Sequence, residues 1–479
     1  MDKNKCIKVA IIDNGVNETF IKEGVETSIT VDEQGICIDD TAKMDHQHFR
    51  HGTNCAMILK KYCPDCRLIS IRILDEKGIG AIKSIYPALE WCLKNHVSLV
   101  NLSLGTSDFR DCGALKALIN EYVAKGLIIV AATANSGVIS YPASFTNVIG
   151  VAAVDSPINH FMNYVQLGID AVVPSEHMVR VYNNEEVRTS QSNSYAAPYV
   201  SALIANRLKG NNALDIIDLK RYSHKQSYVE LADEIYEPDW IYKAYIVGNG
   251  KTSAAKYYFE TIEGEFNEIP NEADTVIVFS EADLKKLNIK NKNLIYLGKE
   301  DIDKADVKGF FWSREIRCQQ MVNNCYQGNG LDIPMVILAA ETTIDDFYVL
   351  TELRGAFAND GYNACVIGME PECVLYALEY MPEPVSNHEV WKNFIESLIF
   401  YKQCDLVIWC IPLGDRDKFI AVYPDYDVEI RLCNEGEDVK VRFSFGEECV
   451  EKISKMIDRK DVEEIYYVIK TKLTEDKDG

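Results

Sequence analysis

At 479 residues the chain is longer than one ordinary domain, and length alone suggests two to four. A hydrophobic content of 47% with 26% charged residues is globular composition and excludes a disordered or fibrous chain. The net charge of −23 argues against nucleic acid and anionic membrane as partners, since both need a basic surface. The opening "MDKNKCIKVAIID" runs almost directly into a strand, with no apolar leader or small-residue cleavage site. No run reaches the roughly 18 apolar residues of a membrane span. The 15 cysteines are odd in number and scattered, so free and mostly buried thiols in a reducing cytoplasm are expected.

In chain order, "KVAIID" reads as a strand, "HGTNCAMILKKY" as a helix and "RLISIRIL" as a strand. "IKSIYPALEWCLKNH" follows as a helix, "VSLVNLSLG" as a strand and "ALKALINEYVAKG" as a helix. "LIIVAATAN" and "VIGVAAVD" are further strands, and "SNSYAAPYVSALIA" starts a buried helix. In that helix the proline is expected in the first turn, where N–H groups have no intrahelical partner. Near-continuous apolar strands separated by helices predict a mostly parallel sheet covered on both faces, over residues 1–210. Around "RLKGNNALDIIDLKRYSHKQSYVELADEIYEPDW" the pattern turns polar and irregular and predicts a boundary, opening a connecting α/β region over 211–330. That region holds "TVIVFS", "NLIYLG" and a helix at "EADLKKLN". From about Leu331 a third α/β unit is expected to run to 479 through "PMVILAA", "FYVLTELRGAFANDG", "YNACVIG", "WKNFIESLIFYKQ" and "DLVIWCIP". No internal repeat is visible, and "TEDKDG" reads as a frayed tail.

Four residues carry the chemistry. Asp13 ends the first strand, at the sheet edge where catalytic groups gather, and either orients a histidine or caps a turn. His51 opens the next helix, with Gly52 and Thr53 expected to make the turn and cap; taken singly it reads as a surface histidine. Asn135 follows a strand and precedes Ser136-Gly137, so it is either a turn residue or an amide donor for a developing oxyanion. Ser194 lies at a helix N-terminus, a nucleophile or an ordinary cap.

Together they fall in the order Asp, His, Asn, Ser, each in a small-residue context. The sequence resembles the subtilisin-like serine peptidases over about Lys8 to Leu208, and the handed-down order Asp–His–Ser is that family's. "IIDNGVN", "HGTNCAMI", "VNLSLG", "AATANSG" and "SNSYAAPYVSALIA" resemble its motifs in order, and "YPASFTNVIGVAAVD" fits the run between the last two. The resemblance implies a three-layer α/β domain and acyl transfer, with Ser194 as nucleophile, His51 as base and Asp13 as its orienter. It further implies Asn135 as oxyanion donor and backbone pairing of an extended substrate along Ser103, Leu104 and Gly105. Ala131, Ala132, Thr133 and Ala134 would wall the first specificity pocket. No cofactor or metal is implied, and the partner is a peptide or protein substrate. Compact intracellular relatives of this kind trim leader peptides in bacterial peptide-maturation systems, which makes a dedicated peptide the expected substrate.

The chain departs from the family pattern at Arg50, where glycine is usual, at Ala134, and at Ser192-Asn193 in place of Gly-Thr. Arg50 sets a cation beside the base, where it is expected to lower the His51 pKa or favour acidic substrates. No inhibitory propeptide is expected before Asp13. An impaired, peptide-binding scaffold stays open as the alternative, as does a nucleotide-responsive regulator.

Other signals are weaker. "CPDC", Cys63 to Cys66, has redox or zinc half-site spacing without a second pair nearby. His46, His48 and His51 invite a metal reading, but the last is claimed by the triad. In the third unit the loop "AAETTIDDF" lacks glycine and lysine and carries two aspartates, so the unit resembles at best a decayed P-loop fold. A binding role there, recruiting the substrate or a partner, is expected.

Overall fold

The computed structural model describes residues 6–21, 24–40, 50–155, 167–180, 185–211, 213–231, 236–262, 268–289, 291–302, 307–324, 326, 333–382, 388–422, 426–436, 438–445, 448–454 and 457–475. The chain forms two compact units, Met1–Tyr242 and Lys243–Gly479.

In the first unit the strands are β1 (Lys8–Asp13), β2 (Thr27–Val31), β3 (Cys37–Asp39), β4 (Arg67–Arg72), β5 (Leu99–Leu102), β6 (Ile128–Ala132), β7 (Ile149–Ala153) and β8 (Ile169–Val173). They form one sheet in the order β3-β2-β4-β1-β5-β6-β7-β8, parallel except for the β2–β3 pair. Side chains alternate across a strand, so Val9 and Ile11 enter one core while Ala10 and Ile12 enter the other. Helices α1 (His51–Tyr62) and α4 (Asn193–Gly210) supply the first core; α2 (Ile85–Lys94) and α3 (Phe109–Ala124) supply the second. The result is a three-layer α/β domain.

Chain direction explains where a site can form. After β1 the chain moves out to β2, β3 and β4, then crosses back to β5 on the other side of β1. The crevice between the carboxyl ends of β1 and β5 is thus the topological switch point, where parallel sheets hold ligands.

The expected boundary near 210 falls inside this unit. The polar stretch contains helix α5 (Ile216–Gln226), which is tied to the sheet by a buried ion pair. Lys220 Nζ lies 2.6 Å from both Asp170 Oδ2 on β8 and the Val148 carbonyl oxygen. Asn120 and Asn147 also donate to the carbonyls of Ile241 and Trp240, holding the chain down to that point. A short hairpin, β9 (Met178–Arg180) and β10 (Glu186–Arg188), precedes α4.

The second unit contains two sheets. Five parallel strands, β11 (Lys243–Val247), β12 (Glu260–Ile262), β13 (Thr275–Val278), β14 (Asn293–Tyr296) and β15 (Phe311–Ser313), lie in the order β12-β11-β13-β14-β15. The other sheet is β18-β17-β19-β16-β20-β21-β22, built from β16 (Met335–Ala340), β17 (Ala364–Gly368), β18 (Glu379–Tyr380), β19 (Leu406–Pro412), β20 (Val428–Glu435), β21 (Asp438–Phe445) and β22 (Glu448–Ser454). Its first five positions are parallel and the last two form an antiparallel meander. The boundary expected near Leu331 falls outside the described residues, as do His46, His48 and the end of the "TEDKDG" tail. Among the described residues no helix is long and apolar enough to cross a membrane.

Candidate active site

Asp13 is the last residue of β1 and only 1% exposed, while His51 begins α1 with a third of its side chain open to solvent. His51 Nδ1 lies 2.9 Å from Asp13 Oδ2 and 3.1 Å from Oδ1, so its N–H is shared by the two carboxylate oxygens. Glycine makes the approach possible. A Cβ on Gly52 would stand 2.7 Å from the Gly15 carbonyl oxygen and 3.1 Å from Asp13 Cβ.

The helix start differs from expectation. Gly52 and Thr53 lie inside the first turn, and the cap comes from Asn14, whose Oδ1 accepts the Gly52 N–H at 3.0 Å. Thr53 Oγ1 instead accepts the Asn17 N–H, tying the loop after β1 to α1. Arg50 also behaves otherwise. Its guanidinium donates to the Asn14 carbonyl at 3.1 Å and pairs with Glu76 at 3.7 Å. The His51 pKa is raised rather than lowered: burial favours the neutral ring, but the Cys55 sulfur and the Asp13 carboxylate beside Nδ1 outweigh it.

Ser194 is half-buried in the first turn of α4, whose N-cap Ser192 accepts the Ser194 N–H at 3.3 Å. Pro198 sits in the second turn, not the first. Having no N–H, it leaves the Ser194 carbonyl without its i+4 donor. Ser103, just beyond β5, fills that place: its hydroxyl donates to Ser194 O at 2.7 Å, and Cys55 Sγ lies 3.7 Å away. Asn101 Nδ2 in turn donates to Ser103 Oγ at 3.0 Å. Among the described residues no hydrogen bond joins the Ser194 hydroxyl to His51, a looseness usual in unliganded sites.

Asn135 follows β6 and is exposed. Its Oδ1 accepts the Asn193 N–H at 3.0 Å, and its Nδ2 donates to Ser192 Oγ at 3.4 Å. Asn193 is itself buried, donating to Thr133 O and Ala134 O and accepting the Ala153 N–H at 2.8 Å. The Ser192-Asn193 departure therefore stitches the Asn135 loop to the start of α4. Leu104 and Gly105 continue from β5 as non-helical chain, and a Cβ on Gly105 would meet the Tyr141 carbonyl at 2.7 Å. Ala131 and Ala132 lie inside, in opposite core layers, and Thr133 Oγ1 is engaged with Val151 O. Of the four expected wall residues, Ala134 is the one at intermediate exposure.

Two residues escaped sequence reasoning. Cys55 lies 4.0 Å from His51 Nδ1 and 3.5 Å from Ser103 Oγ. Tyr195 stacks on His51; the signal for it was a large ring directly after Ser194, in a run of small residues. Donor atoms of Asp13, His51 and Cys55 lie within 4.8 Å of one another, and the first two are engaged with each other. Cys63 and Cys66 are free and buried, joined through a turn by the Cys66 N–H to Cys63 O.

In the second unit the "AAETTIDDF" loop joins β16 to a helix, α6 (Asp346–Asn359). Asp345 caps α6 through Tyr348 N–H and accepts Ser253 Oγ and Ala254 N, both at 2.7 Å. Asp346 pairs with Lys251.

Comparison with known proteins defines the class. A model of the subtilase family matches residues 4–244, half of the chain. The protein belongs to the subtilase family. It is 26% identical over 215 residues to the minor extracellular protease Epr of Bacillus subtilis (strain 168), covering 42% of this chain and 32% of that one. It is 34% identical over 146 residues to subtilisin BL of Lederbergia lenta, covering 30% of this chain and 53% of that one. The chain thus spans a third to about half the length of these relatives. A solved cold-adapted subtilisin-like serine proteinase is matched at 19% identity with a TM-score of 0.38, over 49% of this chain and 86% of that one.

Proposed function

We propose that this protein is a serine endopeptidase whose first unit hydrolyses peptide bonds through Asp13, His51 and Ser194. The observation that carries the reading is the Asp13–His51 pair, buried at one end, open at the other, and set at the switch point of the sheet. Ser194 Oγ attacks the scissile carbonyl as His51 Nε2 takes its proton, while Asp13 holds Nδ1–H and stabilises the imidazolium. The tetrahedral oxyanion is received by Asn135 Nδ2 and the Ser194 N–H, both of which must turn from Ser192 Oγ toward the substrate. His51 then protonates the leaving amine, and water releases the acyl group by the same route reversed. Substrate lies extended along Ser103, Leu104 and Gly105, with Ala134 nearest the first pocket.

The finer reading is a dedicated peptide substrate, such as a leader peptide processed in the cytoplasm, recruited through the second unit. The scattered free cysteines support that compartment, and the acidic net charge fits a partner that is neither nucleic acid nor membrane. A second reading, a peptide-binding scaffold without turnover, is favoured by one feature: the Asn135 amide and the Ser194 N–H are both engaged with Ser192 Oγ. Intact mass after treatment with a fluorophosphonate separates the two. A single adduct on Ser194, absent from Ser194→Ala and His51→Ala, is expected; an unmodified wild type that still binds peptide establishes the scaffold.

A further inference from the structure

Tyr195 immediately follows Ser194 and is 9% exposed, seated at the margin of the first core. Helical side chains lean toward the N-terminus, which carries this ring out of α4 and across to the start of α1. There it stacks on the His51 imidazole, with centroids 5.1 Å apart and planes inclined by 28°. Its hydroxyl accepts from Asn54 Nδ2 at 3.2 Å. Residues 51 and 54 share one face of α1, so a single side chain bridges both.

The contacts on His51 are therefore of two kinds. Asp13 fixes the ring edge through Nδ1, which leaves the ring free to rock about that bond. Tyr195 covers a ring face and removes that freedom. Because the same helix turn carries Ser194, the ring that aligns the base is rigidly linked to the nucleophile. We infer that Tyr195 is a positioning residue, which clamps the His51 imidazole between Asp13 and the Ser194 hydroxyl and is itself anchored by Asn54. This rests on the peptidase reading for its catalytic meaning, but the clamp itself is a property of the two helices.

Charge adds to geometry. An aromatic face attracts a ring that becomes cationic, by an amount that grows as water is excluded. Among the described residues, the charged and titratable groups that face His51 are Asp13 from β1, Cys55 from its own helix and Tyr195 from α4; the Arg50 guanidinium is turned to Asn14 and Glu76.

The test uses the full chain, with Tyr195→Leu and Tyr195→Phe beside wild type. His51 is titrated by NMR, and the rate of fluorophosphonate modification is followed against pH. In Tyr195→Leu the His51 titration midpoint moves down, and the modification rate per neutral His51, read from the pH series, falls about five- to tenfold. Tyr195→Phe keeps the stack and holds both within about twofold. A Leu variant with the wild-type midpoint and rate overturns the clamp. So does one whose labelling falls only in proportion to the unfolded fraction seen by circular dichroism, while the folded fraction keeps the wild-type midpoint. Should wild type take no label, the peptidase reading fails, and the NMR midpoints still decide whether Tyr195 holds His51.

Discussion

Two carboxyl-end strand loops of this molecule start alike and finish differently. At the end of β1, Asp13 meets one histidine, and that histidine keeps a third of its side chain in solvent. At the end of β16, Asp345 and Asp346 are consumed by the protein's own Lys251, Ser253, Ala254 and Tyr348. Both edges bear acids at a parallel-sheet crevice. Only the first couples its acid to a group that can pass a proton onward. The position of a residue in a fold supplies opportunity; whether its hydrogen-bonding capacity is already spent decides reactivity.

The comparison breaks hardest at Asp13. Asp13→Asn is expected to slow acylation of Ser194 about 10⁴-fold, because the imidazole loses its tautomer and its counter-charge. The pH sign follows from the raised His51 pKa. The base works only when neutral, so wild-type activity rises with pH through a midpoint above the ordinary imidazole value of ~6.5. Removing the carboxylate should lower that midpoint, and a pH–rate series on the residual activity reads it. Ser103→Ala is the next test. It strips the donor that replaces the missing Pro198 N–H, and should lower unfolding free energy by about 1–3 kcal/mol in denaturant titration. A variant as stable as wild type would show that Cys55 suffices for the Ser194 carbonyl. Smallest is Asp345→Ala, which removes a helix cap for about 1 kcal/mol. Its modification rate at Ser194 should equal wild type; a slower rate would mean that the second edge takes part in the chemistry of the first.

The strands of the first unit were legible because buried parallel strands are nearly continuous apolar runs, as "KVAIID" and "LIIVAA" are. The candidate residues were legible because each follows a strand or opens a helix among small residues. What the pattern hid was tertiary. Helix α5 escaped because a buried lysine reads as surface, and only its partner Asp170, 50 residues earlier, explains it. Pro198 was assigned to the wrong turn because its tolerance depends on a hydroxyl from β5's end. Arg50 was given a role beside His51 when its charge is satisfied by a backbone carbonyl and Glu76. Periodicity reports which face a residue occupies, not which distant group completes it.

The proline in α4 also bears on timing. The carbonyl of Ser194 is secured by a hydroxyl 91 residues upstream rather than by its own helix. Local helix formation alone therefore leaves the nucleophile loosely seated. Its register is completed only where α4 meets the end of β5, a non-local contact that carries the entropy of closing a long loop. In the proposed peptidase, the order of assembly itself would thus postpone arming of the nucleophile until the sheet beneath it is built.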